Sequence, residues 1–321
     1  MAIEQSTSFA KSVRSTGASS GWRRWWHRHH LKIIPYFYIA PFFILFAAFL
    51  AYPVFDSFYL SFHKQQGIST PQFVGLKNYA NLLHDPRFKQ SLINTTVYAV
   101  GSLLFQVPFA FLLAVVVNSK LVPWANAKSF YRLSFFVPLL TSTVVASLMF
   151  GILYDQESGL INSYLVSWFG PSFKIGWLRW PGVVKISVII LLIWRFAGLI
   201  SLYFLAGLQN IPKELEEAAS IDGANWWVTL TRITIPLLRP VILFVVVTTI
   251  TGSYQIFSEP YLLTAGGPSD QSLSMVQYLY QTGFSQFNLG YASAIGYTLV
   301  TIIVILAIIN LRVFGAFSED K

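Results

Sequence analysis

The segment LAGLQNIPKELEEAASIDGANWWVTLTRITIPLLRP, residues 205–240, is the part of the sequence that decides the fold. It holds four of the chain's 13 acidic residues and separates two long uncharged runs. Pro212 suits the first turn of a helix, where its missing N–H costs no hydrogen bond, and the glutamates that follow favour the positive end of the helix dipole. Gly223 permits a left-handed exit. We therefore predict a short polar helix over about residues 212–226.

The rest of the chain has the composition of a membrane protein. Of its 321 residues, 55% are hydrophobic and 11% are charged, less than half of the roughly 25% that is usual in soluble domains. The sequence contains no cysteine, which excludes disulfides, thiolate metal sites and cysteine nucleophiles. The net charge of +9 is typical of basic residues that flank membrane spans, and this interpretation is favoured over nucleic-acid binding.

Long uncharged runs locate the membrane spans, because about 20 apolar residues are needed to cross about 30 Å of hydrocarbon. The sequence predicts an all-α integral membrane protein with six transmembrane helices, one of them interrupted by Arg195. The runs are 33–55, 90–119, 133–154, 186–212, 240–258 and 291–311. Prolines within or near the spans predict kinks at Pro41, Pro53, Pro108 and Pro138.

The distribution of Lys and Arg predicts the orientation. With the N-terminus inside, 14 basic residues fall on cytoplasmic segments and 7 on outer segments, which places both termini in the cytoplasm. We therefore divide the chain into a cytoplasmic tail (1–32), a membrane domain (33–314) and a second cytoplasmic tail (315–321). The stretch GWRRWWHRHH, residues 21–30, is typical of an interfacial anchor on the cytoplasmic face of the membrane. No metal site is predicted there, because no acidic residue or cysteine joins its three histidines (His27, His29 and His30).

The sequence lacks the motifs of the common catalytic and nucleotide-binding sites. It has no G-x-x-x-x-G-K-[ST] phosphate loop, no H-E-x-x-H and no G-x-S-x-G. Asp56 and Glu259 are the acidic residues within or beside the spans. Each is expected near an outer end, whereas ion-coupled carriers keep carboxylates near the midplane. We predict no catalytic residues, and uphill transport would need energy from another polypeptide.

The short polar helix has two physical interpretations. It can be a solvated connector between two spans. It can instead dock on a cytoplasmic partner, because the slim face of Ala218 and Ala219 beside the Glu217 carboxylate suits a groove that contains Arg or Lys. Local chemistry does not choose between the two.

The residues of this segment closely resemble the EAA motif of binding-protein-dependent ABC importer permeases. The match comprises Glu217, Ala218, Ala219, Asp222, Gly223, Ala224, Ile233 and Pro236. Leu230 is a mild departure, since the family often has Phe there. Other stretches are similar to the carbohydrate-importer branch with a maltose-transporter-like fold, namely FVGLKNY from Phe73, SLINTT from Ser91, FFVPLL from Phe135, GLIN from Gly159, LAGLQNIP from Leu205 and LTAGGPSD from Leu263.

This resemblance implies a type I ABC importer permease fold in the bacterial cytoplasmic (inner) membrane. It implies four kinds of partner: a second homologous permease, two ABC ATPase subunits, an extracytoplasmic solute-binding protein and the lipid bilayer. ATP and Mg would be held by the ATPases, so no cofactor is expected in this chain. The helix 212–226 would be the coupling helix, with Glu217 as its ionic contact. A self-contained secondary carrier or channel is the alternative, and a membrane enzyme or scaffold is a third.

The resemblance also implies a carbohydrate substrate, and the sequence offers candidate contacts along the spans. They are Trp194, Arg195, Tyr254, Gln255, Phe257 and Glu259. An arginine at membrane depth costs about 2.5–3.5 kcal/mol on insertion scales, so Arg195 should face a wet cavity, a backbone carbonyl or the second permease. Tyr254 and Phe257 are expected on one helical face, where core packing is the favoured role. A cavity containing Arg195, with more Lys than acid on some outer loops, would suit an anionic uronate such as an alginate fragment, while neutral oligosaccharides and glycerol phosphate compounds stay open.

Overall fold

A computed structural model describes residues 21–119 and 125–315. The predicted tails therefore lie largely outside the described residues, as do the side chains of His27, His29 and His30. The chain divides into two compact units between Ser57 and Phe58.

The described part of the first unit is helical. Helix α1 (Gly21–Phe46) continues through a π-helical turn (Ala47–Ala51) into helix α2 (Tyr52–Ser61). Residues Ile34–Ser61 are long and apolar enough to cross a membrane. This span extends six residues beyond the predicted end at Phe55, because Ser57 and Ser61 satisfy their hydroxyls within the helix and do not end it.

The second unit contains three further long helices. The first is formed by α4 (Pro86–Gly101), a π turn (Ser102–Gln106) and α5 (Val107–Asn118). The second is α9 (Val183–Gln209) and the third is α16 (Leu289–Gly315), which confirms apolar spans near 90–119, 186–212 and 291–311.

The third predicted span is a bent pair of helices, and the fifth predicted span, 240–258, corresponds to the second half of another bent pair. Helix α6 (Ala125–Leu140) meets α7 (Thr143–Leu153), and the chain bends by 97° between them. Residues Trp226–Leu237 meet α13 (Arg239–Tyr254) with a bend of 69°. The segment Trp226–Leu237 consists of α11 (Trp226–Thr229), a π turn (Leu230–Thr234) and α12 (Ile235–Leu237). Within the described ranges there are four long apolar helices, or six spans if each bent pair is one.

Short elements connect the spans. Strands β1 (His63–Lys64) and β2 (Gln72–Phe73) pair antiparallel, with His63 opposite Phe73. The others are α3 (Lys77–His84), α8 (Leu160–Phe169), a 3₁₀ turn (Pro171–Phe173), α10 (Lys213–Ile221), α14 (Ser258–Thr264), α15 (Met275–Tyr280) and a π turn (Gln281–Ser285). The stretch 259–290 includes α14, α15 and the last π turn, and its AGGPSD residues, 265–270, lie in turns between α14 and α15.

Proline explains three of the π turns. Each ends two residues before a proline, at Pro53, Pro108 and Pro236. A proline has no N–H to donate to the carbonyl four residues earlier, and its ring collides with that carbonyl. Widening the preceding turn relieves the collision and keeps the helix continuous. Pro41 lies within α1, and Pro138 lies within α6 just before the 97° bend.

Helices α4–α5 and α9 run parallel and form the centre of the second unit. Tyr98 shares a buried cluster with Val188, and Val117 shares another with Leu208. We call the end of the bundle where α4 begins the Asp85 end, and the end where α9 stops the Gln209 end. At the Asp85 end, a third cluster joins Tyr254 to Ile295, so α13 arrives there and α16 departs from it.

Close packing of α6 on α9 depends on Gly198. A Cβ atom at this position would lie 1.7 Å from the backbone oxygen of Phe135. A backbone atom cannot rotate away as a side chain can, so any larger residue must push the two helices apart. Gly151 in α7 is a contrasting glycine, because a Cβ there would meet nothing within 4 Å.

Replacing Gly198 by Ala should therefore destabilise the protein by about 1–3 kcal/mol, the usual cost of overpacking. Thermal unfolding of the detergent-purified protein measures the effect. The matched variant Gly151→Ala should unfold at the wild-type temperature or slightly above it, since alanine favours the helix. Equal unfolding temperatures for the two variants would contradict the close contact.

A polar clamp at the Asp85 end holds the segment 265–291 against α4. Asp85 caps α4, and its Oδ1 accepts hydrogen bonds from the N–H groups of Arg87 and Phe88. Its Oδ2 accepts hydrogen bonds from the hydroxyls of Tyr278 and Tyr291. The Arg87 guanidinium then donates two bonds of 2.8 Å to the Asp270 carboxylate.

The same contacts shift the pKa of Asp85. Burial raises this pKa, but the hydrogen bonds from Tyr278, Tyr291, Phe88 and Arg87 outweigh burial and hold it below its ordinary value. A carboxyl group with a lowered pKa in the folded state stabilises the fold above its unfolded pKa of about 3.9. That stabilisation is lost as the pH falls through the folded-state value.

We expect the Asp85→Asn variant to unfold at a lower temperature than wild type at pH 7. The difference should shrink as the pH falls below about 4, because protonation removes the charge from the wild-type carboxyl group as well. Thermal scans from pH 7 to pH 3 measure the difference, with Glu214→Gln as a control for the loss of an exposed carboxylate. A difference that stays constant over this range would contradict the role of the ionised Asp85.

Candidate functional site

A cavity of about 340 Å³ opens among α9, α13, the π turn between α4 and α5, and the residues that follow α13. Its polar lining is rich in hydroxyl and amide groups and comprises Ser102, Gln106, Tyr203, Thr248, Thr249, Ser253, Gln255, Ser258 and Glu259. Its apolar lining comprises Leu192, Phe196, Leu199, Ile200, Ile256 and Phe257. A mostly apolar pocket with a few convergent polar groups is typical of small-molecule sites.

The π turn between α4 and α5 supplies one wall of this cavity. Ser102 and Gln106 are the first and last residues of the turn, and both are buried. Pro108 forces this wider turn, as described above. The proline therefore determines which polar side chains of this helix reach the cavity, consistent with the frequent occurrence of π turns at functional sites.

Helix α13 supplies the opposite wall. Within the part of the chain that the structure describes, the buried Oγ1 atom of Thr249 has no hydrogen-bond partner. Gly252, one turn further on, leaves open space, because a Cβ there would meet nothing within 4 Å. An unpartnered hydroxyl beside open space is suited to a polar ligand, since a buried polar group without a partner costs free energy.

An ion pair joins α9 to α14 beside the cavity. Arg195 lies 12 residues after Val183, about 18 Å along the helix. Its Nη1 donates a hydrogen bond of 2.6 Å to Oε1 of Glu259, and the two side chains are only 13% and 8% exposed. The guanidinium carbon also lies 5.2 Å from the ring centre of Phe196, while its Nε has no partner.

This pair corrects two expectations. Glu259 does not stay at an outer end, because the chain turns back after α13 and brings its carboxylate to a residue near the middle of α9. Arg195 pairs with this carboxylate instead of a backbone carbonyl, and it lies outside the described lining of the cavity. Gln255, Phe257 and Glu259 do line the cavity, as their selection for the site anticipates.

The other two candidate contact residues, Trp194 and Tyr254, pack in the hydrophobic core. The ring of Trp194 packs 5.3 Å from that of Phe150, and Trp194 lies against a buried cluster. Tyr254 is 5% exposed, and its hydroxyl lies 3.0 Å from Oγ1 of Thr96. The expectation that Tyr254 and Phe257 share a helical face is wrong, because α13 ends at Tyr254 and Phe257 precedes α14 with a φ of −134°.

Sequence reasoning missed a run of aromatic rings that begins at the cavity. Phe257 stacks on Tyr261 with 5.0 Å between ring centres and lies 5.1 Å from Tyr280. Tyr280 in turn stacks on Phe284 at 5.3 Å. The i, i+4 spacing of 257–261 and 280–284 is the signal that could have found them. The contact between the two pairs is tertiary and has no sequence signal.

The short polar helix predicted over residues 212–226 is present but shorter than expected. It is α10, Lys213–Ile221, and Trp226 already begins α11. Gly223 has a φ of +78°, and the N–H of Ala224 bonds the carbonyl of Ala219 at 2.9 Å. This is a Schellman-type end that requires the left-handed conformation. Asn225 then caps α11 through Val228 N–H, so the sharp turn after Asp222 is encoded locally.

The motif residues divide into an exposed group and a buried group. Within α10, Ala219 is the buried residue, and both Glu217 and Ala218 are exposed. Ile221 is 85% exposed and Leu215 is 41% exposed. Ile233 and Pro236 are half-buried around the π turn that follows, and Leu230, the departure from the motif, is buried. Thus α10 is an exposed rod with an acidic and apolar surface, held by the structure behind it.

The described residues include no group of three or more His, Cys, Asp or Glu side chains that could hold a metal ion.

These features define a transport-system membrane subunit, and the chain belongs to the family "Binding-protein-dependent transport system inner membrane component", which it matches over residues 17–317. It is similar to the arabinooligosaccharides transport system permease protein AraP of Bacillus subtilis (38% identical, 96% of each chain). It is also similar to the lactose transport system permease protein LacF of Rhizobium radiobacter (32% identical, 92% of this chain and 97% of the relative). A crystal structure of a bacterial ABC transporter involved in the import of the acidic polysaccharide alginate contains a chain of the same fold. Its TM-score is 0.79 at 23% identity, covering 92% of this chain and 100% of that one.

Proposed function

We propose that this protein is the permease subunit of an ATP-driven ABC importer that moves a carbohydrate received from an extracytoplasmic binding protein. The substrate crosses by alternating access at the cavity between α9, α13 and the π turn that precedes α5. The free energy comes from separate ATPase subunits, which hold ATP and Mg, and the chain itself catalyses no reaction. Membership of the family supports the role of an inner-membrane component of a transport system.

The carbohydrate assignment is supported by the relatives and by the chemistry of the cavity. Two relatives carry names that refer to arabinooligosaccharides and to lactose. Hydroxyls and amides such as Gln106 and Gln255 both donate and accept hydrogen bonds, as sugar hydroxyls do. The ring of Phe257 offers an apolar face at the cavity edge. Similarity to the alginate importer supports the fold alone.

Coupling to an ATPase is supported by the exposure of α10. A nine-residue helix that buries one residue and exposes Leu215 and Ile221 has an apolar surface that needs a partner. The exposed carboxylate of Glu217 adds a site for an Arg or Lys in the groove of that partner. This is the observation that carries the proposal.

Orientation follows from the same helix and from the basic residues. The Gln209 end would face the cytoplasm, with both termini, and the Asp85 end would face the binding protein. The excess of Lys and Arg on the segments assigned to the cytoplasm supports this arrangement. A second homologous permease would complete the membrane part. Closure of two ATPases would draw two α10 helices together and rock the bundles as rigid bodies.

Replacing Glu217 by Lys should leave the protein in the membrane and abolish the dependence of ATP hydrolysis on the binding protein. The new charge would repel the basic groove residue, while the helix keeps its propensity. Parallel assays of ATPase activity and sugar uptake in proteoliposomes with all subunits measure this.

The variant Glu216→Lys is the matched control, since it makes the same charge change about 100° around the helix. It should keep most of the coupling. Normal uptake by the Glu217→Lys variant would remove the docking role. Uptake by the purified chain without any ATPase would favour the alternative, a self-contained carrier or channel.

Replacing Gln106 by Leu should raise the sugar concentration needed for half-maximal transport. The change keeps the approximate size of the side chain but removes hydrogen-bonding groups from the cavity, at a cost of about 0.5–1.5 kcal/mol, or roughly two- to tenfold. Uptake titrations measure the shift, and exposed Gln286→Leu serves as the control. An unchanged half-saturation would place the sugar path elsewhere.

A further inference from the structure

The charge of the cavity is set by a single ion pair. Among the described lining residues, Glu259 is the one that carries a formal charge at neutral pH, and the other polar ones are hydroxyls and amides. Its positive partner, Arg195, lies outside the lining. The cavity therefore presents a carboxylate to its contents, and the guanidinium stands on the other side of that carboxylate.

Burial makes this arrangement electrically strong. Both side chains are largely shielded, at 13% and 8% exposed, and the 2.6 Å contact joins opposite charges in a region of low dielectric. An arginine at this depth requires a counter-charge, and Glu259 supplies it within the chain. The guanidinium is consequently neutralised before any substrate arrives.

An acidic sugar would find no compensation for its charge here. Transfer of an ionised carboxylate out of water is costly unless it is paired, and the lining offers it dipoles and a second carboxylate. An uncharged sugar avoids that cost. Its hydroxyls can donate to Glu259 and can exchange hydrogen bonds with Gln255, Ser258 and Thr249, whose Oγ1 has no partner in the chain.

We infer that the Arg195–Glu259 pair is a charge selector that makes this cavity accept uncharged saccharides and exclude uronates. The inference rests on the proposed function, since it names the substrate class of the same cavity. It weakens the case for an anionic substrate, which rested on a cavity containing Arg195, because the described lining does not include that residue. Glu259 is the residue that contacts the sugar, and Arg195 is a positioning residue that acts through it.

Matched probes test the inference in the complete transport complex, reconstituted in proteoliposomes with ATP inside. The two members of each pair differ in that every sugar unit carries a CH₂OH group in one and a carboxylate in the other. The pairs are mannotriose with trimannuronate, and galactotriose with trigalacturonate. The probes are supplied at concentrations that bypass the selectivity of the binding protein, and ATP-dependent uptake is measured. Wild type should transport the neutral member of a pair at least tenfold faster than the uronate.

In the Glu259→Gln variant, the ratio of the neutral-probe rate to the uronate rate should fall at least tenfold. The reason is that Arg195 then keeps an uncompensated charge beside the cavity. The double variant Arg195→Gln/Glu259→Gln should restore the preference for the neutral probe. A merely structural ion pair would lower both rates in proportion and leave the ratio unchanged, which would overturn the selector.

The exchanged pair Arg195→Glu/Glu259→Arg covers the case in which Glu259→Gln fails to fold. It keeps two opposite charges in contact and places the cation in the lining, so it should prefer the uronate. If the wild-type complex takes up a uronate as fast as its neutral counterpart, the charge selector is overturned, but the proposal of a carbohydrate importer stands. Absence of ATP-dependent uptake for every probe, neutral or acidic, overturns the proposed function itself and the selector with it.

Discussion

A charged side chain in the middle of a membrane helix must find a partner inside the protein, because the hydrocarbon region offers it no water. Helix α9 carries such a charge at Arg195, and Glu259 is the partner. To reach it, the chain must turn back after α13 and place α14 beside α9. The same turn brings Gln255 and Phe257 to the cavity, so the position of the site follows from satisfying one buried charge.

Prolines act on the same site through the backbone. Pro108 and Pro236 each follow a π turn, and those turns lie at the cavity and behind α10. A widened turn rotates the residues before it relative to an ideal α-helix, which is how Ser102 and Gln106 both come to be buried at the cavity wall. The polar lining therefore depends on residues that never touch it.

The two ends of the bundle differ in how their polar groups are satisfied. At the Asp85 end, Arg87 pairs with Asp270 and the Asp85 carboxylate accepts hydrogen bonds from Tyr278 and Tyr291. At the Gln209 end, α10 leaves Glu217 and Ile221 exposed.

The sequence by itself determined the apolar spans, the family motif and the sharp end of α10, because hydrophobic runs, Pro212 and Gly223 act over a few neighbouring residues. The kink expected at Pro138 lies close to the 97° bend, whereas the sequence did not predict the bend before Arg239 or where Glu259 lies. Span prediction counts apolar residues and is blind to direction changes within a run. The pairing of Arg195 with Glu259 joins positions 64 residues apart. Such contacts depend on how helices pack, and only the tertiary structure decides whether Arg195 faces a substrate or a carboxylate of its own chain.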